Sequence, residues 1–127
     1  MKPPTHIAVM HEPFLSAVFD GHKTIESRFS LHRIAPYQTV QPGDVVLMKA
    51  GKIVGSFVVQ WVQYFDLATA NFDNLIHEFG PGVAADTAFW ESKRSKRYAT
   101  FMGISQVRRL SPTAISKTDR RGWVSLT

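Results

Sequence analysis

Residues 52–65, KIVGSFVVQWVQYF, constrain the fold more than any other stretch. Val, Ile, Phe, Trp and Tyr occupy odd and even positions alike, so an extended backbone here carries apolar side chains on both of its faces. A strand of that kind belongs in a closed or covered sheet, and Gly55 within it marks a bulge or bend.

The flanking segments supply the cover. HIAVM (6–10) is a short apolar run suited to a buried strand. EPFLSAVFDG follows, with Phe14, Leu15, Val18 and Phe19 at helical spacing, Pro13 in the first turn and Gly21 at the end. TIESRF (24–29) alternates, placing Thr24, Glu26 and Arg28 on one face of a strand and Ile25, Ser27 and Phe29 on the other. Lys23 lies in the preceding turn. LHRIAPYQTV reads as a loop, QPGD (41–44) as a turn and DVVLM as a strand. NFDNLIHEFG and DTAFWESKR have helical spacing, with Gly80-Pro81-Gly82 separating them and Asp86 or Thr87 as N-cap of the second. YATFMGISQVRRL returns to strand character, and GWVSL provides a last strand. No repeat or linker divides residues 1–127. The expectation is one α+β domain, a barrel of about five or six strands with short flanking helices.

Charge is distributed unevenly. Residues 1–92 hold six Lys or Arg against nine acids, whereas residues 93–127 hold nine against Asp119 alone. A local cationic surface attracts phosphate-bearing partners, and it equally makes a solvated face or meets an acidic protein. The absence of cysteine excludes disulfides, thiolate zinc sites and cysteine nucleophiles. His6, His11, His22, His32 and His77 are not accompanied by an HExxH motif or a carboxylate cluster, so no metal and no cofactor is expected. There is neither a phosphate-binding glycine loop nor a GxSxG hydrolase signature. With no membrane-length apolar run and no basic-then-apolar leader, a cytoplasmic location is expected.

Lys23, Glu26 and Arg28 gather two cations and a carboxylate within six positions. Their residue types suit either a surface ion pair or a polar ligand site. The spacing Gly21-x-Lys23-x-x-Glu26-x-Arg28, after a short helix and before Pro42-Gly43-Asp44 and an apolar strand, resembles the signature of the ASCH domain family. Phe89-Trp90 with Lys93, Arg97-Tyr98 opening a strand, and Lys117-x-Asp119-Arg120-Arg121-Gly122-Trp123 are similar to one bacterial subgroup. The resemblance implies a PUA-like β-barrel whose helix-flanked cleft meets RNA, a nucleotide or a modified base. Some small ASCH members hydrolyse amides on acetylated cytidine with a Lys, a Thr nucleophile and a Glu. Here Lys23 matches the lysine and Glu78 the acid, but Glu26 stands in the threonine's place, so the attacking hydroxyl is missing there.

Three functions therefore stay open. One is an RNA, single-stranded nucleic acid or nucleotide binder in which Lys23, Glu26 and Arg28 read a base, Arg94, Arg97, Arg120 and Arg121 hold phosphate, and Tyr37, Trp90 and Tyr98 line or close the site. Phe89 is expected to dock its helix on the barrel; Trp90 serves equally well for docking, and Tyr37 as a surface residue. In the DRRGW segment, phosphate binding stands beside a structural tail with Trp123 plugging the barrel. The second function is a small hydrolase acting on RNA or on a modified nucleoside, with Lys23 and either Glu26 or Glu78 in acid–base roles. The third is a basic protein-interaction module.

Overall fold

The computed structural model describes residues 3–115 and 121–126. Six strands and three helices follow the order β1 (His6–Val9), α1 (Phe14–Asp20), β2 (Ile25–Ser30), β3 (Val45–Ala50), β4 (Lys52–Asp66), α2 (Phe72–Val83), α3 (Thr87–Lys93), β5 (Tyr98–Thr113) and β6 (Trp123–Ser125). They form one curled sheet in the order β2-β5-β4-β3-β1-β6, antiparallel except for the parallel β1–β3 pair. The architecture is of the expected α+β class with six strands and short helices, the strands forming a curled half-barrel.

Two apolar cores lie on opposite faces of this sheet. Ala8, Met48, Phe57, Val59, Met102 and Trp123 fill the barrel interior with Val18 of α1, whereas Phe101, Ala99 and partly buried Phe29, Trp61 and Phe65 support α2 and α3 outside. The run at 52–65 is apolar on both faces because it serves both cores. Its pairing with β5 shifts register between Val59 and Val62, so odd positions face inward before the irregularity and outward after it. Gly55 sits at another register shift, where a Cβ would come within 2.6 Å of the Phe19 ring and 2.8 Å of the Arg108 carbonyl oxygen. Glycine is required there by close packing.

One helix boundary differs from the sequence reading. Gly80-Pro81-Gly82 does not separate the helices but forms the last turn of α2, which ends at Ala84 in left-handed conformation. Pro81 removes only the donor that the exposed His77 carbonyl would have met, and Gly82 brings the helix end against β2, where a Cβ would strike Ile25. Asn71 and Asp86 cap α2 and α3, accepting from the Asn74 and Phe89 amides. No helix among the described residues is long and apolar enough to cross a membrane.

The candidate ligand recess

The end of α2 determines where Lys23 goes. Terminal helix carbonyls lack intrahelical donors and carry the negative end of the helix dipole. The Thr24 amide donates to Gly82 O at 2.9 Å, and the Lys23 ammonium donates to Val83 O at 2.8 Å. Lys23 is thus drawn inward to 2% exposure, although nothing in its local sequence fixed its direction. Glu26, at 5% exposure, lies 3.7 Å from its ammonium and accepts at 2.8 Å from the Ser27 amide.

Arg28 completes the group and closes the seam of the half-barrel. β2 and β6 are the two sheet edges. Across the gap between them, Arg28 donates to Val9 O at 2.9 Å and to Gly122 O at 3.3 Å, lies 3.3 Å from Glu26 Oε2, and stacks 5.3 Å from the Trp123 ring centre. A planar guanidinium can serve carbonyls on two elements and a carboxylate at once, which an ammonium cannot do in this geometry.

Burial sets the titration of the two inner groups. Desolvation pushes the Glu26 carboxyl up, but Arg28, Lys23 and the Ser27 amide together outweigh it and hold it below its ordinary value. Desolvation lowers Lys23, with Glu26 opposing the shift and Arg28 adding to it.

Lys23, Glu26 and Arg28 line one recess of about 270 Å³ between α1, α3 and the outer edge of β2, together with Phe14, Phe29, Phe89 and Lys93. Phe14 and Phe89 meet at 5.4 Å, and the Lys93 ammonium lies 5.2 Å from the Phe89 ring centre. Ser27 also lines the recess. Its hydroxyl is buried, with no hydrogen-bond partner in the protein. Lys93, like Lys23, is lowered by desolvation first and then by neighbouring cations, here Lys96 and Arg28.

The other expected site residues are dispersed. Trp90 does not reach the recess: at 4% exposure it packs edge-on against Phe29 and Phe72 and beside Phe101, because α3 turns it onto the outer core and leaves Phe89 at the recess wall. Arg94 is held by Asp73 and Glu91, and Arg97 by a fork onto Asp66 at 2.6 and 3.0 Å. Both arginines are exposed and outside the recess lining, as is Glu78 on α2. Tyr37 is buried between Tyr64 and Tyr98, and Tyr98 lies beneath Arg33 and Arg97. Arg121 and Tyr37 line a second recess of about 140 Å³, which also includes Arg28 and Phe29. Arg120 is outside the described residues.

Sequence reasoning missed Ser27 and Phe14 as wall residues and named Lys93 only through the subgroup pattern. Alternation places Ser27 on the face opposite Glu26, and it correctly does so. The recess, however, wraps around the free edge of β2 and takes in residues from both faces. The buried His6, whose Nε2 lies 2.8 Å from Asp44 Oδ2 and whose Nδ1 accepts from the Trp123 indole, ties β1 to the Pro-Gly-Asp turn and to β6. Among the described residues no cluster of His, Asp and Glu could hold a metal ion.

The fold matches that of solved ASCH structures. A crystal structure of ASCH from Zymomonas mobilis superposes with a TM-score of 0.73 over 96% of this chain and 87% of that one, at 12% identity. A point mutant of the same Zymomonas mobilis protein gives 0.72 over 96% and 89%, also at 12% identity. The hypothetical protein PH0355 matches at 0.56 over 78% of this chain and 95% of that chain, at 17% identity. No family model and no curated protein matches the sequence. The shared fold agrees with the Gly21-x-Lys23-x-x-Glu26-x-Arg28 resemblance, whose ionic residues meet in the recess.

Proposed function

We propose that this chain is an RNA- or nucleotide-binding domain whose recess between α1, α3 and β2 takes a planar group bearing negative charge. The observation that carries this reading is the composition of the recess wall: Lys23, Arg28 and Lys93 against the single carboxylate of Glu26, with the Phe14, Phe29 and Phe89 rings beside them. Glu26 is already occupied by Lys23, Arg28 and the Ser27 amide, so the excess positive charge is offered to a ligand. Phosphate suits that excess, aromatic faces suit a base, and the Ser27 hydroxyl suits a polar base edge. A volume of about 270 Å³ lies near the lower end for ligand pockets, roughly 300 Å³, which favours one nucleotide unit over a larger ligand.

The hydrolytic alternative draws less support. Lys23 is engaged by a helix carbonyl, Glu26 is held ionised among cations and is thereby a poor proton donor, and Glu78 stands outside the recess.

The test is calorimetric titration of a nucleoside monophosphate and a short single-stranded RNA at several salt concentrations. Lys93→Ala is expected to weaken both by about tenfold and to reduce the slope of log affinity against log salt by about one. Its unfolding midpoint should change little. Unchanged affinity and slope would remove the recess from the reading. Turnover of RNA or of an acylated nucleoside would favour the hydrolase, and preferential binding of an acidic peptide would favour an interaction module.

A further inference from the structure

Two recesses lie along the outer edge of β2, and Arg28 and Phe29 belong to both. The first is the 270 Å³ site described above. The second, of 140 Å³, is bounded by Ile34 and Tyr37 of the loop after β2, by Arg121, and by Trp123. The backbone between them faces outward. Thr24 and Ser30 accept from the far side of the strand, from the Ile104 and Arg97 amides, so the out-of-phase residues Ser27 and Phe29 turn their peptide groups away from β5. With β2 at the edge of the sheet, no strand among the described residues covers that side.

From this arrangement we infer that the protein binds a single-stranded oligonucleotide of at least two units along the β2 edge, with successive bases in the two recesses and the linking phosphate at Arg28. The inference rests on the nucleotide-binding reading of the first recess and adds a second base subsite to it. Three features favour a nucleic-acid strand over an extended peptide. Each recess offers an aromatic ring together with a cation, Arg28 stands at the partition where a linking phosphate would pass, and the rim of the second recess carries Arg121. Ile34, 47% exposed on that rim, presents an apolar surface to the second base.

The experiment compares three probes at one salt concentration: cytidine 5′-monophosphate, the dinucleotide pCpC, and the same dinucleotide with its second base removed. The full dinucleotide is expected to bind about tenfold more tightly than its abasic counterpart, the increment of one stacked base. Ile34→Glu, and separately Arg121→Glu, should reduce that ratio to near one; unfolding midpoints verify that both variants fold. A ratio near one in the unmodified protein would overturn the second subsite while leaving the nucleotide reading in place. A ratio that survives both variants would overturn it as well. Failure of all three probes to bind would remove the nucleotide reading and this inference together.

Discussion

Lys23→Met and Glu26→Gln, made singly and together, measure how far the buried ionic group acts as one unit. At 3.7 Å and an effective dielectric constant of about 20, the ammonium and carboxylate attract by roughly 4 kcal/mol before desolvation is subtracted. Lys23→Met leaves Glu26 buried with one cation fewer and Val83 O without its donor. Glu26→Gln leaves the Lys23 ammonium and the Arg28 fork facing an amide. Each single change should cost about 3 kcal/mol, because the surviving partner keeps its desolvation without its compensation. The double variant should cost about 3–4 kcal/mol in place of the roughly 6 expected from addition, a coupling of about 2–3 kcal/mol. Equilibrium urea unfolding followed by tryptophan fluorescence suits the measurement, since Trp90 and Trp123 are 4% and 3% exposed and will report loss of both cores. With a slope of about 2 kcal/mol per molar, each single variant lowers the midpoint by about 1.5 M. Additivity within about 0.5 kcal/mol would refute the picture of a coupled unit, and single losses below about 0.5 kcal/mol would reduce it to a screened surface pair.

Two further outcomes follow from the same geometry. Glu26 titrates below 4.5 in the folded state, so its stabilisation is complete above about pH 5 and is lost as pH falls through the folded value. The stability difference between the wild-type protein and Glu26→Gln should therefore shrink from pH 6 to pH 3 in urea titrations, while Asp66, held at about 2 by Arg97, contributes equally to both and cancels; a pH-independent difference contradicts the assignment. Arg28→Lys cannot span Val9 O and Gly122 O together, so the amides of β6 should exchange with solvent about tenfold faster or more, and unchanged exchange would mean that Arg28 does not hold the seam.

The fold was legible in the sequence wherever a local rule and the global packing agreed. Helix α1 could be read from Pro13, the apolar spacing and Gly21, which takes the left-handed conformation that ends it. The bulge at Gly55 was legible because a glycine inside an apolar strand has few other uses. The Gly80-Pro81-Gly82 boundary misled because its local signal is that of a break. Packing overrode that signal: Pro81 gives up one intrahelical hydrogen bond, to the carbonyl of the exposed residue His77, and Gly82 permits close contact with Ile25. Trp90 and Phe89 illustrate a second limit. Adjacent aromatic residues on a short helix are equivalent in composition, and only the rotation of α3 against Phe101 and Phe29 decides which is core and which is wall.

Periodicity and residue type by themselves determined the strand and helix inventory, the α+β class and the proximity of Lys23, Glu26 and Arg28, because these depend on neighbours within a few residues. The tertiary structure alone decided that these three groups are buried and share one recess. That required the carbonyl end of α2, some 60 residues away, to draw in the Lys23 ammonium, and the opposite end of the sheet to offer Val9 O and Gly122 O to Arg28. Burial and partnership of charges are properties of long-range contacts, and no local pattern encodes them.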